Sequence, residues 1–385
     1  MKDPMTIEGS LNPITIKNLE VFALRAAISN PVRTSFGTMK DRPALFVKIE
    51  DKDGAIGWGE IWCNFPSVGA EYRAKLLNEV FIPILINQKF NSPQDLYESI
   101  SHKTAVLAIQ SGEFGPIAQI ISGIDIAAWD LFARRAGQPL WKYLGGNNPR
   151  VKVYASGINP DQPEKVISQF LDTGYNAFKL KVGFDLETDV SNLKKIRAII
   201  PAHTLMIDAN QAWSLQSAIK NINAMEEFNL HWIEEPIRAD SSMDEWQFLS
   251  RNCNATIAAG ENMSSQKQFD TAIQSKVFGV LQPDIAKWGG ISECKIVVQN
   301  ILENKVSYCP HYLGGGIGLL ASAHLLAASG SDGYLEIDSN DNPLRTLICG
   351  PVNNVINGHI TLSNEPGIGA QVNLEELSPF RITHT

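Results

Sequence analysis

Positive charge is scarce in this chain. Its 33 Lys and Arg residues are outnumbered by 41 Asp and Glu, for a net charge of -8. A protein built around a polyanion gathers basic residues, so nucleic acid is not the expected partner. Cysteine is scarce too. Cys63, Cys253, Cys294, Cys309 and Cys349 make an odd five with no C-x-x-C pair, which reads as reduced thiols and excludes a disulfide framework. No run of 18 apolar residues is present, so no membrane span is expected. Residues 1–12 carry charges and no apolar h-region. No signal peptide is therefore expected, and the protein reads as cytoplasmic. The chain also lacks an internal sequence repeat, which excludes a solenoid of similar units.

What remains is ordinary bulk: 385 residues, 44% hydrophobic and 19% charged. That is enough for two domains, or for one barrel with an addition.

One short stretch stands out. After a glycine turn at Gly174, the apolar run Asn176 to Val182 contains Lys179-Leu180-Lys181. In a strand, alternate residues share a face, so Lys179 and Lys181 point one way with Ala177. Phe178, Leu180 and Val182 point the other. Two ammonium groups on one face mean either a solvated face or a site. The stretches downstream favour a site. Further short apolar segments end in Asp208, Glu234, Glu261, Asp284, His311 and Glu336, at steps of 27, 26, 27, 23, 27 and 25 residues from Lys181 onward. Each gives way to a stretch of helical length, such as 163–173, 186–200, 215–228 and 264–274. With Val151 to Ala155 as a first strand ending near Ser156, this makes eight strand–helix alternations. The pattern predicts an α/β protein with a (β/α)8 TIM-type barrel over 141–350, whose chemistry lies at the C-terminal ends of its strands.

The first third reads differently. Ile14 to Arg25, Ala44 to Glu50 and Ile56 to Glu60 alternate as strands, with a polar loop from Asn30 to Arg42 and a second loop from Trp62 to Gly69. Helical patterns follow at 71–86, 92–104 and 116–136. Strands followed by helices make a small α+β unit over 14–140. The tail, 351–385, is expected to return and pack on that unit, completing a capping domain.

Asp208, Glu234 and Glu261 end the third to fifth barrel strands, which are neighbours. Three converging carboxylates repel one another unless a cation joins them. An all-oxygen set favours a hard divalent ion, Mg2+ first, with Mn2+ as a substitute. Lys181 ends the preceding strand and His311 ends the seventh. Asp284, between Glu261 and His311, is placed to set the imidazole tautomer, or else is a turn residue after Pro283. Lys179 and a nearby cation would lower the Lys181 pKa toward neutrality. A metal with two bases on opposite faces suits removal of a proton α to a carboxylate. Lys179 would add a second positive contact to that carboxylate, and Glu336, if protonated, would donate a hydrogen bond to it.

These residues carry a resemblance. The Lys-x-Lys strand, Asp208-Ala209-Asn210, Glu234-Glu235-Pro236, Gly260-Glu261-Asn262, Asp284 and His311 resemble the mandelate racemase subgroup of the enolase superfamily. That superfamily's use of a Lys or His base with Mg2+ is a standard example of pKa tuning. Gly57-Trp58-Gly59-Glu60, Gly123-Ile124-Asp125 and Ala128-Trp129-Asp130 resemble its capping domain. The resemblance implies Mg2+ on Asp208, Glu234 and Glu261, with Lys181 as one base and the His311–Asp284 dyad as the other. It places Lys179 and Glu336 on the substrate carboxylate and Asn210 near its α-hydroxyl. It also implies a homo-oligomer.

The resemblance ranks dehydration of an acid sugar first, an aldonate or a diacid such as tartrate or galactarate, giving a 2-keto-3-deoxy acid. The alternative is a racemase or epimerase working by 1,1-proton transfer, and fold alone does not choose between them. Specificity would come from two capping loops, through Arg33, Ser35 and Phe36 in one and Asn64 and Phe65 in the other, with His102 and Lys103 also in reach. Arg33 and Lys103 could equally be plain solvated charges. Two rivals stand beside this reading. Gly314-Gly315-Gly316 and Gly318 open a helix after the seventh strand, where some barrels bind phosphate, unless they only let backbone pack close to His311. A barrel that binds a ligand without turning it over is the other.

Overall fold

Alternation builds the first of two sheets in this computed structural model, which describes residues 12–34 and 37–382. Strands β1 (Ile14–Thr34), β2 (Gly37–Asp51), β3 (Ile56–Ile61) and β4 (Lys89–Phe90) form an antiparallel sheet in the order β3-β2-β1-β4. The segment expected as a polar loop, 30–42, is instead the end of the β1–β2 hairpin. Val32 pairs with Met39 and Arg33 with Thr38. Val32 and Met39 are buried while Arg33 and Thr38 face out, so the two-residue period runs through Pro31 and past the bulge between Ala27 and Val32. Ser35 and Phe36 lie outside the described residues.

Helices Pro93–Ser111 and Phe114–Arg135 pack on this sheet. The second has 16 buried residues, Trp129 and Phe132 among them. A Cβ on Gly59 would collide with the Gly123 carbonyl oxygen of that helix, which is why the strand reads Gly-Trp-Gly. Over 18 residues the helix is apolar enough, at mean hydropathy 1.2, to cross a membrane, and 89% of that window is buried inside the protein. Asp125 and Asp130 interrupt the run in the sequence.

The second sheet is the barrel. Strands β5 (Arg150–Ile158), β6 (Ala177–Lys181), β7 (Thr204–Asp208), β8 (Ile233–Glu234), β9 (Ile257–Ala259), β10 (Phe278–Leu281), β11 (Ser307–Tyr308) and β12 (Tyr334–Asp338) are parallel, in the order β11-β10-β9-β8-β7-β6-β5-β12. The β11–β12 seam is bridged by Ser331 Oγ to the Tyr308 carbonyl (3.3 Å) and the Tyr334 N–H to Cys309 Sγ (3.4 Å). Crossover helices start on side-chain caps. Asp185, Ser214, Ser242 and Ser265 each accept a backbone N–H three residues on, a contribution of about 1 kcal/mol apiece.

The period of two sorts the side chains. Phe178, Leu180, Leu205, Ile207 and Ile233 face the helices within the main core. Tyr154, Ala177, Met206, Trp232, Ala258, Val280 and Cys309 plug the barrel interior. Two residues further up, most of these strands turn polar, as at Ser156, Lys179, Asp208, Glu234, Gln282 and His311.

Buried carboxylates dock the capping unit onto the barrel. Asp125 accepts from Ile291 N (2.7 Å), Ser292 N (3.0 Å) and Ser292 Oγ (2.6 Å) at the start of barrel helix Gly290–Glu303. Asp130 holds Trp58 N (2.8 Å) and Ile368 N (2.7 Å) of the tail. On β2, Arg42 is ion-paired with Asp338 at the end of β12, and both are buried. The tail makes its contacts in turn. Strand β13 (His359–Thr361) joins β5 of the barrel, a destination its sequence does not disclose; Gly367 and Ile368 then reach the capping helix, and Ile382 N reaches Ala23 O on β1.

His324 illustrates how buried polar groups set the pH range of this fold. On helix Gly316–Ser329, its Nδ1 accepts Trp141 N–H (2.9 Å) and its Nε2–H donates to the Ile368 carbonyl (3.1 Å). Burial pushes its pKa down to about 3, below the ordinary imidazole value near 6.5. The unfolded chain therefore takes up a proton that the folded chain refuses. Stability from the neutral ring is complete above about pH 6.5 and is lost as pH falls toward 3. Between pH 7 and 5 the wild type should lose about 2 kcal/mol more than His324→Gln, read from urea unfolding of both. Parallel pH slopes would remove His324 from this account.

Candidate active site

The polar residues above the apolar plug form two tiers. Lys179 anchors the lower one and is 1% exposed. Its Nζ donates to both Glu234 oxygens (2.8 and 2.7 Å) and lies 2.8 Å from Glu336 Oε1, over the Tyr154 ring. Glu234 also accepts from Gln282 Nε2 (2.7 Å). Glu336 accepts from Ser156 Oγ and from Tyr312 N (3.0 Å). Burial alone would lower the Lys179 pKa, but the Glu234 and Glu336 charges hold it well above its usual value. Burial raises Glu336, yet Lys179 and His311 bring it down to about 2. In this arrangement both Glu336 oxygens accept, one from Ser156 Oγ and one from Tyr312 N. Lys179→Met would leave two buried carboxylates without their cation and should cost about 3–5 kcal/mol, measurable by urea unfolding.

The upper tier faces the mouth. Lys181 Nζ donates to Asp208 Oδ2 (3.0 Å) and Asn210 Oδ1 (2.6 Å), while Asn210 N and Nδ2 brace Asp208 at 2.8 and 2.9 Å. His311 lies between two carboxylates, with Nδ1 2.7 Å from Asp284 Oδ2 and Nε2 2.6 Å from Glu261 Oε2. Asp284 is oriented by Ala286 N and Lys287 N (2.9 and 3.2 Å). Burial works against an imidazolium, but Glu261 and Glu336 raise the His311 pKa well above the ordinary range. Glu261, Asp284 and His311 lie two or three residues beyond their strand ladders. The turns after β7 and β8 carry left-handed residues, Asn210 (φ 44°), Gln211 (φ 65°) and Glu235 (φ 38°), the local strain that functional sites often hold.

The donor set fits a divalent cation by chemistry and charge. Asp208, Glu234, Glu261, Asp284 and Glu336 face Lys179, Lys181, Lys287 and His311. Even with His311 as imidazolium, five carboxylates face four cations, so the inward set keeps a negative surplus that favours a cation among them. Burial, with Asp208 and Glu336 nearby, pushes Glu234 up to about 7. Burial and the Glu261 charge push Glu235 well above the carboxylate range. Among the described residues no three ligand side chains converge on a common point, because each of Asp208, Glu234 and Glu261 is turned to a protein cation instead.

Two family descriptions match this chain: "Enolase C-terminal domain-like" over residues 164–377, more than half of it, and "Mandelate racemase / muconate lactonizing enzyme, N-terminal domain" over 17–145. The chain belongs to the mandelate racemase/muconate lactonizing enzyme family. A family member of solved structure from Bordetella bronchiseptica RB50 is 46% identical, with a TM-score of 0.90 over 95% of this chain and 99% of its own. A racemase from Streptomyces coelicolor A3(2), with bound magnesium, is 28% identical at TM-score 0.86, covering 95% of this chain and all of the other. The 3,6-anhydro-alpha-L-galactonate cycloisomerase of Streptomyces coelicolor is 30% identical across 91% of this chain and 94% of its own length. Family relatives differ in reaction. An arabinonate dehydratase (27%, Saccharolobus solfataricus), an o-succinylbenzoate synthase (28%, Geobacillus kaustophilus) and a hydrophobic dipeptide epimerase (25%, Enterococcus faecalis) also resemble the chain.

In this family member, the capping-loop candidates divide. Asn64 is buried and donates to the Leu313 carbonyl, two residues past His311. The Phe65 ring lies 6.2 Å from Trp62, which is flanked by Arg73 and Lys287 (5.6 and 5.1 Å). Arg33 pairs with Asp161 (3.1 Å) beside a cleft of about 460 Å3 against the loops after β5 and β12. Lys103 does not reach the site. Helix Pro93–Ser111 buries Leu96, Ile100, Thr104 and Ala108, and Lys103, off that stripe, donates to the Ile84 carbonyl on the outside (3.4 Å). The glycine run after β11 has no room for phosphate. The helix N-terminus there already holds Glu60, which accepts from Gly315 N (2.5 Å) and Gly318 N (2.9 Å).

Lys287 and a role for Gln282 were missed by the sequence reading, and Glu235 and Asn262 entered it only as motif residues without a role. Lys287 Nζ donates to Asn262 Oδ1 (2.8 Å) and lies 3.8 Å from Glu261. Position beside Glu234, Glu261 and Asp284 was the available signal.

Proposed function

We propose that this protein is a Mg2+-dependent enzyme that removes the proton α to a carboxylate of an acid sugar and dehydrates it. The carrying observation is the pair of bases at one mouth. Lys181 on β6 faces an His311–Asp284 dyad three strands away one way round the barrel and five the other.

Lys181 is held by Asp208 and Asn210 with its amine at the top of β6, so deprotonated it can take a proton from one side of the substrate. Asp284 accepts Nδ1–H of His311 and leaves Nε2 to exchange a proton on the other side. Asp208, Glu234 and Glu261 would hold Mg2+, which when bound would supply positive charge for the charge developing on the substrate carboxylate. Lys179 and Glu336 position these groups from below. In dehydration one base takes the α-proton, the β C–O bond breaks, and imidazolium His311 protonates the departing hydroxyl. Water leaves, and the enol becomes the 2-keto-3-deoxy acid.

The test is a screen of the Mg2+-loaded enzyme against aldonates, diacid sugars, their lactones and simple 2-hydroxy acids in D2O. A 2-keto-3-deoxy acid, read as its semicarbazone, supports dehydration. Deuterium at the α-carbon with inversion and no keto product replaces it with racemisation or epimerisation. Ligand-dependent thermal shifts with neither signal would make the barrel a binder and overturn the enzymatic reading.

A further inference from the structure

Glu60 comes from the capping sheet, 255 residues before Gly315, and is 2% exposed. Its two oxygens take Gly315 N–H and Gly318 N–H at the start of helix Gly316–Ser329, and its carboxylate is also hydrogen-bonded to the Tyr312 hydroxyl. The glycines admit it. A Cβ on Gly315 would lie 2.7 Å from Glu60 Oε1, and one on Gly318 would collide with the Tyr312 hydroxyl. A carboxylate at a helix N-terminus is a strong anchor, since orphan N–H groups and the helix dipole both favour it.

The anchored segment begins with His311. Tyr312 is gripped twice, by Glu336 at its N–H and by Glu60 at its hydroxyl. Asn64 of the capping loop holds the Leu313 carbonyl, and Asn342 Nδ2 holds the Gly314 carbonyl (2.8 Å). Each residue from 312 to 315 is therefore tied. Three of the ties come from the capping unit, two from Glu60 and one from Asn64.

We propose that Glu60 is a positioning residue for His311, so that docking of the capping unit sets the geometry of the acid/base dyad. The inference rests on the two-base reading for its kinetic consequence, and its structural consequence is measurable without a substrate. Glu60→Gln turns an N–H2 group toward one of the two helix N–H donors and breaks the clamp. Asp51→Asn weakens a buried carboxylate whose partners, Asp53 N, Ala55 N and Arg135, all lie within the capping unit, and serves as the control.

The first readout is the far-downfield proton NMR line of His311 Nδ1–H, identified by its loss in His311→Asn. It should shift or vanish in Glu60→Gln and stay in place in Asp51→Asn. The second is turnover, with kcat lower by about 10²-fold and KM little changed, the effect of misplacing a catalytic group by about 1 Å. Tyr312→Phe, which removes only the hydroxyl contact, should move the same line and carries the test if Glu60→Gln does not fold. A Glu60→Gln protein that melts earlier but keeps both the His311 line and kcat would reduce Glu60 to a structural anchor and overturn the proposal. If no acid sugar is turned over by the wild type, the functional reading fails while the NMR line still decides this one.

Discussion

Lys181→Ala and His311→Asn are each expected to lower turnover by about 10³-fold or more while the fold survives, the upper part of the range for a general acid or base. The separation of activity from folding follows from the contacts. Without Lys181, Asp208 still accepts from Asn210 N and Nδ2, so no carboxylate is orphaned. Without the imidazole, Asp284 still accepts from Ala286 N and Lys287 N. Circular dichroism should match the wild type, and calorimetry should still detect Mg2+ binding.

The two variants are not expected to fail alike. If Lys181 takes the α-proton, His311→Asn should still exchange that proton with D2O without releasing water, and Lys181→Ala should do neither. The reverse pattern would assign the α-proton to His311. Full activity in either variant would end the two-base mechanism.

The sequence made the barrel legible because its signal is local. A period of two in a five-residue strand places Lys179 and Lys181 on one face, and the strand sheet bears this out at β6. The acidic strand ends are legible for the same reason. What the sequence withheld depends on distance along the chain. Nothing near Gly315 announces that its N–H partner is Glu60, so the glycine run reads as a phosphate site when it is a seat for the protein's own carboxylate. Arg42 lies in a segment whose prolines and glycine suggest a loop, and only its pairing with Ala26 on β1 and with Asp338 reveals a buried cation. Lys103 fails in the opposite sense, since proximity in sequence to a capping helix carries no information about which flank of the helix faces the barrel.

Chelation of Mg2+ should abolish activity, and the carboxylates should show which side chains hold the ion. Mg2+ at about 100 times its Kd should stabilise the wild type by about 3 kcal/mol, read as a rise in melting temperature over the EDTA-treated protein. Asp208→Asn and Glu261→Gln should lose that rise, because each removes an oxygen anion from the inward set. Glu235→Gln is the informative contrast. It is adjacent to Glu234 and just as buried, so neighbourhood alone would make it a ligand. Glu234, the last residue of β8, bonds Lys179 and Gln282 on the barrel axis, whereas Glu235 lies in the left-handed turn just beyond the strand. There Glu235 lines a cavity of about 420 Å3 with Met243, Trp246 and Lys267, and is hydrogen-bonded by Asn262. Glu235→Gln should therefore keep the Mg2+-dependent rise. If it loses the rise and Glu261→Gln keeps it, the ion sits on the other side of the β8–β9 ends, and the assignment of Glu261 is wrong. If none of the three substitutions alters the rise, the surplus of carboxylates is balanced by protons, and the charge argument for a metal at this mouth fails with it.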